Sequence, residues 1–194
     1  MAETKRLLEA ASALSDLLRS RGIAHAFHGS VLTSLLANVP HTDEIFCIVE
    51  AGHTHQHPFR RVRDAVSGHE DFKITHSPWT DRLHIIYRRF IPTIEIEILP
   101  SGEAGPRRLD ATTVMRVHGV PFLTISEFVR AKLNTWMIRR LERDAHDIAY
   151  VLSRYWNRID INRIPENDMN QFVASHSSAA SSWTAIRRKY GMCM

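Results

Sequence analysis

The sequence predicts an α+β protein in which helices pack against a mixed β-sheet and a helical region follows the sheet. Three observations carry this prediction. Leucine and alanine recur every three or four positions within the first 21 residues, which is the period of an amphipathic helix. Residues 93–98 alternate strictly between polar residues and isoleucine, as a strand with one buried face does. After residue 123 the apolar residues return at helical spacing.

Length and composition limit the class of protein. A chain of 194 residues predicts one main domain with an appendage, since domains average roughly 150 residues. Hydrophobic residues at 44% and charged residues at 24% are typical of a globular protein and exclude a disordered chain. The first helix carries Glu3, Glu9 and Asp16, and no long apolar run occurs. We therefore expect a soluble, cytoplasmic protein without signal peptide or membrane span.

Charge and cysteine content add little about partners. The chain has 25 Lys and Arg against 21 Asp and Glu, a net charge of +4. Basic and acidic residues are interleaved along most of the sequence, whereas nucleic-acid binders usually concentrate basic residues on one face. Nucleic acid is therefore a weakly supported partner. The two cysteines, Cys47 and Cys193, have no spacing that indicates disulfides or a zinc site.

The periodicity predicts helices and strands in mixed order up to residue 122 and helices afterwards. The expected helices and strands of the first part are helix 3–21, strand 23–27, helix 31–37, strand 44–50, helix 59–67 and strands 72–76, 83–90 and 93–99, then an extended stretch reaching residue 122. The expected later helices are 124–140, 143–156, 168–175 and 179–189. We predict an α/β core at 1–120, a helical pair at 121–156 and a helical tail at 157–194, with a hinge at the serine-rich segment 177–182.

A short turn joins the first predicted strand to the second predicted helix. Gly29 permits a close approach to the backbone, and the N–H groups at a helix N-terminus favour a phosphate. Ser30 is also a natural N-cap, so a capped tight turn without a ligand is the structural alternative. His28 immediately precedes this turn and is a candidate acid or base.

Carboxylates flank the predicted strands. Asp43 and Glu44 come at the start of one strand, Glu50 at its end, and Glu95 and Glu97 share one face of another. Carboxylates that converge from neighbouring strands provide the hard oxygen ligands that Mg²⁺ prefers. A solvated face of an antiparallel sheet explains Glu95 and Glu97 equally well.

Two predicted helices carry a second charged group. Asp144 and Asp147 are three residues apart and share a helix face, with Arg143 beside them and Lys132 on the preceding helix. An ion-pair network is the structural explanation. Alternatively, the Lys132 ammonium contacts a phosphate.

Taken in order, these segments resemble the nucleotidyltransferase fold, and more narrowly its minimal, AbiEii-like branch, which includes antibiotic nucleotidyltransferases and toxin-type members. The resemblance covers about residues 5–152. The segments that carry it are Gly29-Ser30 for the turn, residues 42–46 for the Asp-x-Asp region, Glu95 or Glu97 for the third carboxylate, Lys132-Leu133 for the lysine helix and residues 143–147 for the final motif.

The resemblance implies transfer of a nucleoside monophosphate from a nucleoside triphosphate to a hydroxyl on a small molecule or macromolecule. The implied substrate-binding residues are Gly29, Ser30, Lys132, Arg143, Asp144 and Asp147. The implied metal ligands are Asp43, Glu44, Glu95 and Glu97, which would hold Mg²⁺. The implied catalytic residues are Glu44, Glu95 and Glu97, with His28 added from its position beside the turn.

One departure from the family pattern affects the expected activity. Glu44 stands for the first metal-binding aspartate and Phe46 for the second, and phenylalanine supplies no ligand. Two alternatives therefore stay open: a degenerate relative that binds a ligand or partner, and metal-free acid/base chemistry by His28 with Glu95 or Glu97. If this alignment holds, Phe46 lies in or beside the cleft, and Asp43 points to the opposite strand face unless a bulge redirects it.

Overall fold

The computed structural model describes residues 2–39, 44–53, 55–77 and 81–192. The chain divides into two compact units, Met1–Leu123 and Thr124–Met194. The helices of the first unit are α1 (Ala2–Ser20), α2 (Ser30–Ala37) and α3 (Pro58–Val66). Its strands are β1 (His25–His28), β2 (Ile45–Val49), β3 (Phe72–His76), β4 (Leu83–Tyr87), β5 (Ile94–Pro100), β6 (Val114–Val117) and β7 (Val120–Leu123).

The strands form a mixed sheet in the order β3-β4-β5-β2-β1-β7-β6. Strand β2 runs parallel to β5, and β1 runs parallel to β7, while the other neighbours are antiparallel. The observed sheet and helices confirm the predicted α+β class.

One face of the sheet is covered by helices. Leu7, Leu14 and Leu18 of α1 are completely buried, because the three- and four-residue spacing places them on one side of the helix. On β5 the isoleucines Ile96 and Ile98 are buried toward the same side. Burying this apolar surface is the main stabilising contribution to the first unit.

The other face is divided into two halves. In one half Ala26, Ile48 and Leu123 form a small buried cluster, covered by the partly buried Leu99, Leu109 and Val114. The chain between β5 and β6 passes so close to β2 that a Cβ atom on Gly105 would stand 2.8 Å from Cδ1 of Ile48. We call the remaining half, which carries Phe46, Glu95 and Glu97, the open face.

The second unit is helical throughout the part that is described. It contains α4 (Ile125–Arg139), α5 (Glu142–Tyr155), α6 (Glu166–Ser175) and α7 (Ala180–Lys189), with 3₁₀ turns at Trp156–Arg158, Ile161–Arg163 and Ser177–Ala179. Thr124 caps α4 by accepting a hydrogen bond from the Glu127 N–H, as the sequence predicted. None of the helices described in either unit is long and apolar enough to cross a membrane.

Two local predictions were wrong, and a third was incomplete. Gly29, not Ser30, is the N-cap of α2. The segment 177–182, expected as a hinge, forms a 3₁₀ turn and the first turn of α7, because Ala179 and Ser182 are buried there. The extended stretch before residue 122 is a β6–β7 hairpin. Its two-residue turn places both His118 and Gly119 at positive φ, the geometry of a type I′ turn.

Candidate functional site

The turn between β1 and α2 is shaped by Gly29. Its φ of 96° and ψ of −167° are readily adopted only by glycine. Because the N-cap residue Gly29 has no side chain, it makes no side-chain capping hydrogen bond to α2. Ser30 is the buried first residue of α2, and its carbonyl oxygen accepts a hydrogen bond of 2.9 Å from the Thr33 hydroxyl. Helix α2 therefore begins immediately after Gly29, which follows the last residue of β1. The N–H groups of a first helical turn at such a junction favour an anion.

Phe46 occupies the centre of the open face. Sheet register pairs Phe46 with His28 on β1 and with Glu97 on β5, and pairs Glu97 with His84 on β4. The four side chains thus form one row across four neighbouring strands. The Phe46 ring is half-buried, and its Cδ2 lies 2.7 Å from where a Cβ atom on Gly29 would stand. The ring therefore lies beside the turn, on the face of the sheet that carries Glu95 and Glu97.

The two carboxylates of β5 both have partners on or next to β4. Glu97 Oε1 lies 2.8 Å from Arg82 Nη1, and the Glu97 side chain is 12% exposed. The more exposed Glu95 contacts Nδ1 of His84 through Oε1. Sequence reasoning missed Arg82 and His84. The sequence shows that Arg82 and His84 are two residues apart at the start of β4. Their approach to Glu95 and Glu97, however, depends on a strand pairing that no local pattern specifies.

Glu44 directly precedes β2. Ile45 pairs with Ile96, so the preceding residue, the exposed Glu44, comes to the level of Glu95. Asp43 lies outside the described residues, so its predicted role as a metal ligand stays a prediction. Glu44 also stays a candidate ligand.

The described residues do not fit a two-metal centre. Phe46 supplies no oxygen at its position between His28 and Glu97, and Glu95 and Glu97 already contact His84 and Arg82. Among residues 2–39, 44–53, 55–77 and 81–192, no group of three or more His, Cys, Asp or Glu is arranged to hold a metal ion.

His28 and Glu97 share the open face but are not neighbours. They lie on β1 and β5 with Phe46 of β2 between them, which separates their backbones by two strand spacings, about 9–10 Å. Phe46 thus stands between the two groups that metal-free acid/base chemistry would require. The assignment of His28 as acid or base stays a prediction.

The charged group of the second unit is an interior ion-pair network. Lys132 is 7% exposed, and its Nζ lies 2.8 Å from Asp144 Oδ1 and 2.9 Å from Asp147 Oδ2. Both aspartates are buried as well. This matches the structural alternative for these residues, whereas Arg143 is exposed. Substrate binding by Lys132, Arg143, Asp144 and Asp147 stays a prediction.

Two groups with shifted pKa values, His25 and Cys47, lie in the core and not on the open face. Burial lowers the pKa of His25, although its hydrogen bond to the Ile23 carbonyl opposes that shift. In the neutral ring Nδ1 donates to the Ile23 carbonyl oxygen and Nε2 accepts from the Ser15 hydroxyl, each at 2.8 Å. Burial also raises the pKa of the Cys47 thiol well above its ordinary value, so this cysteine is an unreactive core residue.

Two solved structures are similar to this chain along nearly its whole length. The crystal structure of an antigenic nucleotidyltransferase-like protein from Paracoccidioides brasiliensis superposes with a TM-score of 0.70 at 17% sequence identity, over 93% of each chain. The solution structure of the antibiotic-resistance factor ANT(2'')-Ia gives a TM-score of 0.50 at 7% identity, over 95% of each chain. No protein-family model and no curated protein sequence matches. At these identities the likeness shows the fold alone.

Proposed function

From the nucleotidyltransferase-like fold of this chain, we propose that it binds a nucleotide on the open face, next to the Gly29–Ser30 turn, without transferring the nucleoside monophosphate. The position of Phe46 carries this proposal. In a two-metal transfer, carboxylates hold the ions that neutralise charge on the attacking and leaving oxygens. By the family resemblance, the aromatic ring of Phe46 takes the place of one of those carboxylates here. That ring packs against the Gly29 turn.

The turn supports the binding part of the proposal. The positive end of the α2 dipole lies immediately after Gly29 and favours the charge of a phosphate, which the N–H groups of a first helical turn can bind. Phe46 adjoins this position and offers a ring face for stacking with a nucleobase. The assigned binding residues are therefore Gly29, Ser30 and Phe46.

A second candidate is the NTP-dependent transfer that the family resemblance implies, to a hydroxyl acceptor and with Mg²⁺. The observation in its favour is that Glu44 directly precedes β2, at the level of Glu95 on the parallel neighbour β5, which also carries Glu97. Membership of the AbiEii-like branch and a cytoplasmic location, where nucleoside triphosphates are abundant, belong to the same proposal.

Titration calorimetry of ATP, GTP, CTP and UTP, each with and without Mg²⁺, separates the two candidates. Nucleotide binding that needs no Mg²⁺ and survives in Glu95→Gln/Glu97→Gln supports a binding protein. Binding that requires Mg²⁺ and is lost in that double variant supports a transferase. The matched control is Glu70→Gln/Glu103→Gln, which removes two exposed carboxylates of the same unit.

Absence of binding for all four nucleotides in every condition would contradict both candidates. The ligand of the open face would then belong to another chemical class. Metal-free acid/base chemistry on a small molecule would be the next hypothesis. It predicts that His28→Gln loses the turnover that the wild type shows with that molecule.

A further inference from the structure

The second unit contains a groove that has no part in the nucleotide binding proposed above. It has a volume of about 760 Å³ and runs between one side of α7 and the 3₁₀ turn that follows α5. Pockets for small ligands usually have volumes of roughly 300–1,000 Å³. The residues that line this groove are Trp156, Asn157, Ser181, Thr184, Ala185, Arg188 and Lys189.

The middle of the groove suits a flat apolar group. Ser181, Thr184 and Ala185 follow one another at the three- and four-residue spacing of a single helix face, and their short side chains leave space above α7. The half-buried Trp156 lines the groove from the 3₁₀ turn. An indole presents a large flat surface on which another aromatic ring stacks favourably.

The C-terminal end of α7 adds two positive charges to the groove. Lys189 Nζ donates a hydrogen bond of 2.7 Å to the Asn157 carbonyl oxygen, which holds its ammonium at the groove. Arg188 is exposed. Among the ion pairs between described residues, neither cation is joined to a carboxylate. Cations in the last turn also stabilise the helix dipole, but that effect requires no cavity beside them.

The distribution of charge along the chain points the same way. Residues 124–194 contain 11 Lys and Arg against 7 Asp and Glu, whereas residues 1–123 contain 14 of each. The entire net charge of +4 therefore belongs to the unit that contains the groove. A positive unit with unneutralised cations at the end of an apolar groove favours an anionic ligand.

We propose that this groove binds a small aromatic anion. Its ring stacks on Trp156 above Thr184 and Ala185, and its carboxylate or phosphate pairs with Arg188 and Lys189. This site is separate from the nucleotide site proposed for the open face, and its test does not depend on that proposal.

The test follows the indole N–H signal of Trp156 in the full chain by NMR, assigned with Trp156→Phe. The probes are 1-naphthoate and 1-naphthyl phosphate, with the neutral 1-naphthalenemethanol for comparison. We expect saturable shifts of the Trp156 signal with both anions. Arg188→Gln/Lys189→Gln should weaken this binding by about tenfold or more, because charge-assisted hydrogen bonds to the anion are lost.

Matched variants keep the result interpretable. Arg130→Gln/Arg139→Gln removes two exposed arginines of α4, so it changes the charge of the unit equally and should leave probe binding unchanged. Ala185→Phe fills the groove and should abolish the shift. Circular dichroism confirms that each variant is folded.

Three outcomes would overturn the proposal. The first is no shift of the Trp156 signal at millimolar probe. The second is a shift that the neutral alcohol reproduces or that Arg188→Gln/Lys189→Gln leaves intact. The third is a shift produced by single-stranded oligouridylate and by neither small anion, which would assign the groove to nucleic acid.

Discussion

Cδ2 of Phe46 lies 2.7 Å from the point where a Cβ atom on Gly29 would stand. The glycine is thus required twice, by its positive φ and by the ring that packs against it. The phenylalanine in turn depends on the missing side chain for its place on the open face. Phe46 and the Gly29 turn are therefore parts of one packing arrangement.

Replacing Gly29 with alanine is expected to lower the free energy of unfolding by about 2–6 kcal/mol, since backbone strain and overpacking each cost roughly 1–3 kcal/mol. Urea unfolding measures the change. Gly68→Ala is the control, because Gly68 also has a positive φ but a Cβ there would meet nothing within 4 Å. Equal losses in the two variants would show that the contact with Phe46 costs nothing. In a Phe46→Ala background the Gly29→Ala loss should shrink toward that of Gly68→Ala.

Replacing Phe46 with aspartate is expected to create Mg²⁺ binding that the wild type lacks. The new carboxylate would stand beside Glu97 and two residues after Glu44, and carboxylates grouped in this way provide ligands for Mg²⁺. Calorimetry with MgCl₂ alone measures this directly. Phe46→Asn has a similar shape without the charge and serves as the control. Equal Mg²⁺ affinity in wild type and Phe46→Asp would contradict the view that Phe46 disables the metal site.

Removing the Lys132 ammonium is expected to destabilise the second unit strongly. Lys132→Met leaves Asp144 and Asp147 buried without their cation, and breaking a buried pair costs about 3–5 kcal/mol. Adding Asp144→Asn and Asp147→Asn should restore part of the stability, since the uncompensated charges are then gone.

The control for Lys132 is Arg130→Met on the same helix, an exposed position where a change within about 0.5 kcal/mol is expected. A Lys132→Met variant that unfolds like wild type but has lost nucleotide binding would instead assign Lys132 to the triphosphate. Thermal unfolding together with nucleotide titration distinguishes the two roles.

His25 is expected to make the protein less stable as the pH falls below its ordinary pKa of 6.5. Burial lowers the pKa of His25 in the folded chain, so the unfolded chain takes up a proton first and gains stability from it. The contribution is complete above about pH 6.5 and is lost on acidification at no more than roughly 1.4 kcal/mol per pH unit.

Urea unfolding between pH 5 and 8 should therefore show a flatter pH dependence below about pH 6.5 in His25→Gln than in wild type. His146→Gln, at an exposed position, should keep the wild-type dependence. Identical curves for wild type and His25→Gln would contradict the assignment of this acid sensitivity to His25.

Much of the fold could be predicted because its signals are local. The alternation along β5 placed Ile96 on the covered face and Glu97 on the open face, and the cap at Thr124 is encoded within four residues. Each of these depends on neighbours in the sequence, so periodicity and turn chemistry were sufficient.

The rest depends on contacts between distant segments. Arg82 and His84 reach Glu97 and Glu95 only because β4 pairs with β5. The serine-rich segment 177–182 is helical although its composition suggested a hinge, because Ala179 and Ser182 are buried within the second unit. The cap of α2 at Gly29 follows from a positive φ that the preference of serine for N-caps does not encode.

The divided face of the sheet has a consequence for the way such a protein can diverge. Ala26, Ile48 and Leu123 are buried beneath the segment before β6, so substitutions there lower the stability of the protein. On the open face the exposed Glu95 is under weaker structural constraint. The two halves can therefore accept mutations independently, which lets selection exchange one ligand chemistry for another on an unchanged scaffold.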